Sequence, residues 1–388
     1  QLNQLSFNLP DTKKGLHCAK LTSVTEKSLN RIMSIPKVTF NNNPSPFFKT
    51  LKEKVDAYFD SNQLRPTGNS KVYLKGILQA IVTLALYVIL VFFTPGILIS
   101  LLLCILLGLS MALVGFNIMH EGGHHSFSRY KWVNNISVHS LNFFGGSSYF
   151  WKLKHNISHH TYTNIEGLDS DIEVGPLMRL HDNQPLYWIH RFQHFYWFVL
   201  YGATYISWVF YQDFDKYFTG RITDGMIKTN LSFKEHIIFW GSKIFYVSLF
   251  LIVPIITVGW IKMLVGFLII HFVCGLFMAI VFQLAHIVSE TEFPNADPAT
   301  NKVDQEWALH QVATTANFAT RNKLISWLVG GLNFQVEHHL FPKISHIHYP
   351  KISEMVKETC AQFNVKYIEY PTMLKALKAH IIHLQRLG

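Results

Sequence analysis

Four long runs of apolar residues dominate the hydrophobic pattern of this chain. They cover about 72–93, 97–119, 237–258 and 263–286. Each is about as long as the roughly twenty residues that cross the hydrocarbon core of a bilayer. Short turns join them in pairs, 94–96 in the first hairpin and 259–262 in the second. The pattern predicts an all-α integral membrane protein with four transmembrane helices in two hairpins.

The predicted domains follow from these runs. A membrane domain covers 71–360, preceded by an N-terminal segment, 1–70, and followed by a C-terminal tail, 361–388. A further run, 188–212, is apolar but carries His190, Arg191 and several tyrosines, a mixed face that is typical of an interfacial helix. Residues 46–60 predict a short amphipathic helix that packs either on the protein itself or on the membrane surface.

Composition and charge agree with a membrane location. Hydrophobic residues make up 49% of the 388 residues and charged residues only 15%, which is few for a soluble surface. The formal net charge of +10 suits contact with anionic membrane lipids or an acidic partner protein. We expect no nucleic acid partner, because no basic stripe with interleaved aromatic residues is present. The four cysteines lack CxxC spacing, so neither a disulfide framework nor a thiolate metal site is indicated.

The distribution of lysine and arginine predicts the sidedness of the chain. Nearly all of them lie outside the apolar runs, and the two hairpin turns contain only Lys262. Because cytoplasmic segments are enriched in these residues, we expect both termini and the segments 121–236 and 287–388 in the cytoplasm. The membrane would be a bacterial inner membrane or the endoplasmic reticulum. Lys243, inside the third run, is expected to extend back to the cytoplasmic side.

Three clusters of histidine lie in the segments predicted to be cytoplasmic. On a helix, residues four apart share a face, so His120 projects with His124 and His155 projects with His159. Imidazole is the commonest protein ligand for borderline transition metals, and these clusters hold more ligands than one ion needs. They therefore predict a site for two metals. The histidines of the three clusters are His120, His124, His125, His155, His159, His160, His338 and His339.

Two further histidines lie in the fourth run. His286 is at its predicted cytoplasmic end, level with His120 at the end of the second run, and is therefore a candidate ligand. His271 is fifteen residues earlier, about 22 Å along a helix. We expect His271 to be a packed or hydrogen-bonded core residue.

The clusters resemble the three histidine boxes of the membrane-bound fatty acid desaturases. The boxes read His120-x-x-x-His124, His155-x-x-x-His159-His160 and Gln335-x-x-His338-His339, and the resemblance covers about residues 70–360. Glutamine at the first position of the third box is similar to the front-end (Δ5/Δ6-type) acyl and sphingolipid desaturases. Many of these carry a fused cytochrome b5 domain with a His-Pro-Gly-Gly motif. That motif is absent here, so we expect a separate electron donor of the cytochrome b5 or ferredoxin type.

The resemblance implies a non-haem centre of two iron ions that uses O2. The substrate would be a long-chain acyl lipid or acyl-CoA, and the product a cis double bond. The seven histidines of the box motifs would be ligands, His286 is added on topology, and His125 and Gln335 are further candidates, the latter directly or through water. The candidates for orienting the rings are Glu121, Asn156, Asp169, Asp171 and Glu337. Each acidic residue could instead be a solvated loop charge or a helix cap.

The residues just before the second box are candidates for the wall of a substrate tunnel. They are Tyr149, Phe150 and Trp151, and His310 could also line the site. An interfacial aromatic belt is the alternative interpretation of the three aromatic residues.

Two other functions remain open at this point. Membrane di-iron hydroxylases and ketolases share histidine-rich boxes but insert oxygen. A metal transporter would need polar residues through the depth of the spans, whereas the histidines here crowd one predicted face.

Overall fold

The computed structural model describes residues 38–41, 45–223 and 229–388, so most of the predicted N-terminal segment lies outside the described residues. The described part is mainly helical and contains four helices that are long and apolar enough to cross a membrane. The predicted fold class is therefore confirmed. We number these helices spans one to four: Ser70–Phe93, Ile97–Gly123, Phe233–Val258 and Trp260–His286.

Polar caps and left-handed residues define the ends of the spans. The side chain of Asn69 accepts hydrogen bonds from the backbone at the start of span one, and Ser232 does the same for span three. Spans three and four are joined by Gly259 alone, with φ +85°, a conformation that glycine adopts without a Cβ clash. The link is shorter than the predicted 259–262, because Trp260 already belongs to span four.

π-helical turns occur at the first two histidine boxes. One covers Gly115–His120, and span two continues beyond it to Gly123, further than the predicted end at 119. A second π turn, Leu153–His159, joins Ser148–Lys152 to His160–Tyr162 in one continuous segment, which we call the box-two helix. Such turns rotate the residues that follow them and are frequent at functional sites.

A long helical segment, which we call the lateral helix, packs against spans three and four. It comprises Trp188–Phe192, Gln193–Ser207, Trp208–Gln212 and Asp213–Thr219. The backbone of its Gly202 lies directly against the ring of Phe272 in span four, and Phe214 contacts Phe239 in span three. It is not among the four candidate spans, and its interfacial position stays a prediction.

The structure corrects the expectation for Lys243. Its side chain does not extend to water but is buried in span three, where it pairs with Asp213 of the lateral helix. The physical reason is that a buried carboxylate and two backbone carbonyls take all three hydrogen bonds of the ammonium and replace water around it.

The remaining elements form a cap that contains the third histidine box. The amphipathic helix Pro46–Ser61 buries Phe47, Leu51 and Val55 against other cap helices, which favours packing on the protein over a membrane-surface position. Two short parallel sheets pair Thr39–Phe40 with Lys302–Val303, and Asn317–Phe318 with Glu369–Tyr370. The other helical elements are Lys131–Phe143, Ser170–Ile172, Gly175–Leu177, Trp307–Ala313, Lys323–Leu328, Gln335–Leu340, His346–His348, Tyr349–Gln362 and Met373–Leu387.

The C-terminal helix Met373–Leu387 is part of the packed body. The hydroxyl of Tyr201 in the lateral helix lies 2.9 Å from Nε2 of His380, and Gln193 donates to the carbonyl of Leu384 at 2.7 Å. These bonds hold the helix against the lateral helix next to the His286 end of span four.

Candidate metal centre

All eight histidines predicted as metal ligands come together in the buried region where span two, span four, the box-two helix and the third box meet. Ring nitrogens of seven of them form two groups made of histidines alone, and within each group the atoms lie within 4.8 Å of one another. The four-histidine group contains His120, His124, His155 and His338, and the three-histidine group contains His159, His286 and His339. Each box contributes to the first group, whereas span four contributes only to the second.

His160 lies between the two groups. Its Nε2 atom is 3.3 Å from Nε2 of His155 in the four-histidine group. Its ring also stacks on His339 of the three-histidine group, with ring centroids 4.4 Å apart. His155 and His159 share a helix face, as predicted, and their rings stack with centroids 5.3 Å apart. Together with Asp171 they form a third possible ligand group, so the two histidine groups adjoin at these two rings.

The hydrogen bonds of the rings show which nitrogens are available for a metal. Nδ1 of His159 faces Asp169 at 3.0 Å, and Nδ1 of His339 faces the Gln311 side-chain oxygen at 2.9 Å. Nδ1 of His338 likewise lies 3.1 Å from the hydroxyl of Tyr349. When Nδ1 carries the proton, Nε2 presents its lone pair. The oxygens of Asp169 and Gln311 only accept hydrogen bonds, so they select this tautomer, and the Tyr349 hydroxyl allows the same arrangement.

The opposite nitrogens fit the presence of metal ions. Buried ring nitrogens are almost always hydrogen-bonded, yet Nε2 of five of these rings and Nδ1 of His160 have no hydrogen-bond partner. Nitrogens that bind one metal at about 2.0–2.1 Å and at right angles lie about 3 Å apart, and Nε2 of His120 is 3.0 Å from Nε2 of His155. The donor set therefore fits metals that prefer imidazole. The six unpartnered atoms are Nε2 of His124, His159, His286, His338 and His339, and Nδ1 of His160.

Burial favours the neutral form that ligation requires. Together with the neighbouring imidazoles, it holds the pKa well below the ordinary value for five rings, namely His124, His155, His160, His338 and His339. His159 differs: burial would lower its pKa, but the carboxylate of Asp169 raises it above the ordinary value. Burial also opposes ionisation of Asp171, yet the ammonium of Lys154, 2.6 Å away, lowers the pKa of that carboxyl to about 2.

The predicted ring-orienting residues divide into two sets. Asp169 bonds to His159, and Asp171 lies 3.5 Å from the same ring nitrogen. Glu121 instead accepts hydrogen bonds from Ser345 and from the backbone of residue 346, so it joins the end of span two to the segment after the third box.

Glu337 and Asn156 also bond away from the imidazoles. Glu337 accepts from Asn317 and Tyr367, and burial raises the pKa of its carboxyl. Asn156 donates to the carbonyl of Gly123 and thereby connects the first two boxes.

Four other polar residues lie outside both groups. His125 is exposed with a positive φ, and Gln335 is buried with its amide nitrogen unpartnered. His310 is buried against the ring of Phe40, with centroids 5.0 Å apart. Nε2 of His271 lies 2.5 Å from the Tyr246 hydroxyl, a hydrogen-bonded position of the kind expected for a core histidine.

The three aromatic residues before the second box have different surroundings. Trp151 stacks on His155 with centroids 4.6 Å apart and presses on Gly123, where a Cβ would lie 2.2 Å from the indole. Phe150 is buried against Phe239. Tyr149 lines a cavity of about 200 Å³ with Lys152 and Lys234, and neither Phe150 nor Trp151 reaches it. A tunnel wall shared by all three stays a prediction.

Sequence reasoning missed several neutral groups behind the rings. Gln311 and Tyr349 bond to histidines of the third box, and the carbonyl of Thr314 lies 3.3 Å from Nδ1 of His286. Thr163 donates to Gln311 as well. Neutral residues such as these have no characteristic spacing. The resemblance of the stretch from Gln311 to Phe318 to the desaturase pattern is the signal that could have found Gln311 and Thr314.

Comparison with known proteins now decides the family. The sequence profile of the fatty acid desaturase family matches residues 70–371, more than three quarters of the chain. The chain belongs to the fatty acid desaturase family. It is 39% identical to an sn-1 linoleoyl-lipid 6-desaturase of Arthrospira platensis, over 91% of this chain and 95% of that protein.

Two further relatives agree. The chain is 36% identical to an acyl-lipid (8-3)-desaturase of Physcomitrium patens, over 88% of this chain and 72% of that protein. It is 34% identical to an sn-1 linoleoyl-lipid 6-desaturase of Synechocystis, over 88% and 95%. The predicted resemblance to front-end desaturases and the predicted enzyme class, an oxidoreductase that desaturates fatty acyl chains, are therefore confirmed.

Proposed function

We propose that this membrane desaturase uses two iron ions and O2 to introduce a cis double bond into the acyl chain of a lipid. The observation that carries this proposal is the pair of histidine groups whose unpartnered ring nitrogens converge in a buried site. Imidazole donors without thiolates suit iron, and no cysteine belongs to either group among the described residues.

The two histidine groups would each hold one iron, with His160 close to both. When bound, the irons would supply the oxidising power, taken from O2, that removes hydrogen from an unactivated methylene pair. The protein's own residues prepare the site for this. Asp169, Gln311 and Tyr349 hold ring protons on the side away from the metals, and Trp151 shields His155. Burial keeps water away from the oxidant.

An acyl lipid is the substrate class that the relatives favour. All three are named for acyl-lipid or linoleoyl-lipid substrates. Gln335 at the first position of this chain's third box is similar to the front-end desaturase pattern. We propose an acyl chain that enters from the membrane, with electrons from a separate protein of the cytochrome b5 or ferredoxin type. The basic segments outside the spans support a cytoplasmic site and an acidic donor.

The test is to express the chain in a host that lacks such desaturases and to analyse its lipids together with purified protein. We expect new double bonds in acyl lipids and close to two irons per fully loaded chain. Hydroxylated chains without new double bonds would identify a hydroxylase instead. A full complement of one zinc in protein that is active without iron would rule out the di-iron proposal.

A further inference from the structure

A buried ion pair connects span three, the lateral helix and the turn before the box-two helix. Nζ of Lys243 donates to the carboxylate of Asp213 at 2.9 Å. It also donates to the carbonyls of Gly145 at 2.6 Å and Val209 at 2.7 Å. The side chains of Lys243 and Asp213 are 6% and 0% exposed, so all three donors of the ammonium are used inside the protein.

Stability alone gives little reason for charges at this depth. Ionisable residues inside membrane spans are costly and usually have a function. A buried pair is often no more stabilising than apolar residues of similar volume. The contacts of the pair are specific, however, because both members bind one turn. Asp213 accepts from the backbone N–H of Ser147 at 2.8 Å while Lys243 binds the carbonyl of Gly145.

A tyrosine of span three supports the same turn. Gly145 has φ +90°, and a Cβ there would come within 2.8 Å of the Tyr246 ring. The hydroxyl of Tyr246 bonds to Nε2 of His271, whose Nδ1 lies 2.7 Å from the carbonyl of Phe267. His271 thus fixes the ring on which the turn rests, although it lies outside the metal groups.

The turn leads directly into the metal centre. Ser147 caps the box-two helix, and its carbonyl accepts from the N–H of Trp151 at 2.9 Å. Ser147, Trp151, His155 and His159 follow at intervals of four residues along this helix. Because a helix transmits a shift along its axis, a displacement of the turn would move Trp151 and His155 together.

We propose that Lys243 and Asp213 are positioning residues that set where the box-two helix lies along its own axis. They thereby determine which methylene pair of the substrate the centre oxidises. The inference rests on the proposed function, since it concerns the position of the new double bond. Misplacement by about 1 Å can lower a rate about 100-fold. A shift of similar size along the acyl chain would present a different carbon pair.

The experiment compares four variants of the full chain in the same lipid host. Asp213→Asn and Lys243→Met each leave one charge unpaired. The double variant Lys243→Met/Asp213→Asn removes both charges, so it remains informative if a single variant fails to fold. Lys262→Met is the control, because this lysine is exposed in the first turn of span four and has no ion pair among the described residues. Melting temperature, bound iron, turnover and double-bond position are measured for each.

We expect the folded double variant to keep its iron, to turn over at least about tenfold more slowly, and to form double bonds at additional positions. Wild type and Lys262→Met should give one position at the full rate. A double variant with wild-type turnover and a single product position would overturn the proposal. A fall in turnover that is no larger than the fall in the fraction of folded protein would also overturn it. If wild type makes hydroxylated chains, the proposed function fails, but the position of the hydroxyl group tests the ion pair in the same way.

Discussion

The two histidine groups differ in what lies behind their rings. In the three-histidine group every ring has a partner at Nδ1: the carboxylate of Asp169, the carbonyl of Thr314 and the side chain of Gln311. One of these partners is an anion, which offsets part of the charge of a bound metal. This group is therefore held by hydrogen bonds before any metal binds.

The four-histidine group is held mainly by packing. On the side away from the centre, Nδ1 of His338 forms a hydrogen bond with the neutral hydroxyl of Tyr349. Trp151 stacks on His155 and contacts the edges of His120 and His124, with centroids 5.8 and 6.0 Å away. The comparison teaches that one centre can use two kinds of support. Polar substitutions should affect the first group most, and loss of aromatic packing should affect the second.

The largest effect is expected from removing a ligand. His286→Ala should lose iron from the three-histidine group and lower turnover more than about 100-fold, beyond what loss of an outer hydrogen bond costs. His271→Ala, fifteen residues earlier on the same span, should retain its iron because it contacts neither group. Elemental analysis and turnover are measured on both variants. Full iron in His286→Ala would show that it is not a ligand.

Trp151→Ala tests support by packing. Removing the indole frees the His155 ring and opens space beside the four-histidine group, so turnover should fall about 100-fold or the double bond should shift along the chain. Iron content should survive, since no ligand is lost. Product analysis by mass spectrometry checks this. Unchanged products formed at an unchanged rate would show that Trp151 has no part in placing the substrate.

Asp169→Asn tests support by hydrogen bonds. The amide keeps the shape of the carboxylate but loses its charge, so iron affinity at the three-histidine group should fall roughly 10- to 100-fold. Titration of metal-free protein with ferrous iron measures this affinity. Asp171→Asn is the comparison. The carboxylate of Asp171 is farther from His159 than that of Asp169 and is already paired with Lys154. Equal losses in both variants would contradict a specific role for Asp169.

The smallest effect is expected from Tyr349→Phe. It removes one neutral hydrogen bond from His338, in a group that packing already holds, so iron affinity should fall by less than about tenfold. The same ferrous iron titration applies. A loss as large as that in Asp169→Asn would mean that both groups depend equally on hydrogen bonds, and the comparison would fail.

The sequence alone was enough for the fold class, for the family and for naming the histidines that lie close together in the structure. The four spans follow from the length of the apolar runs, and the pairing of His120 with His124 follows from the helical period. These are local properties, which depend on neighbours in the chain. Local patterns were less reliable for the ends of helices, since span two continues through a π turn to Gly123, beyond the predicted end at residue 119.

Only the tertiary structure decided how those residues are grouped. It brings His120 and His124 to His155 and His338, brings His286 to His339, and places Gln311 behind the third box. It also turns Lys243 inward to a carboxylate thirty residues away in the chain. Partners so distant in sequence leave no periodic signal, because their contact depends on how whole helices pack. The local pattern therefore determined which side chains could bind metal, and the packing of the helices determined what surrounds each of them.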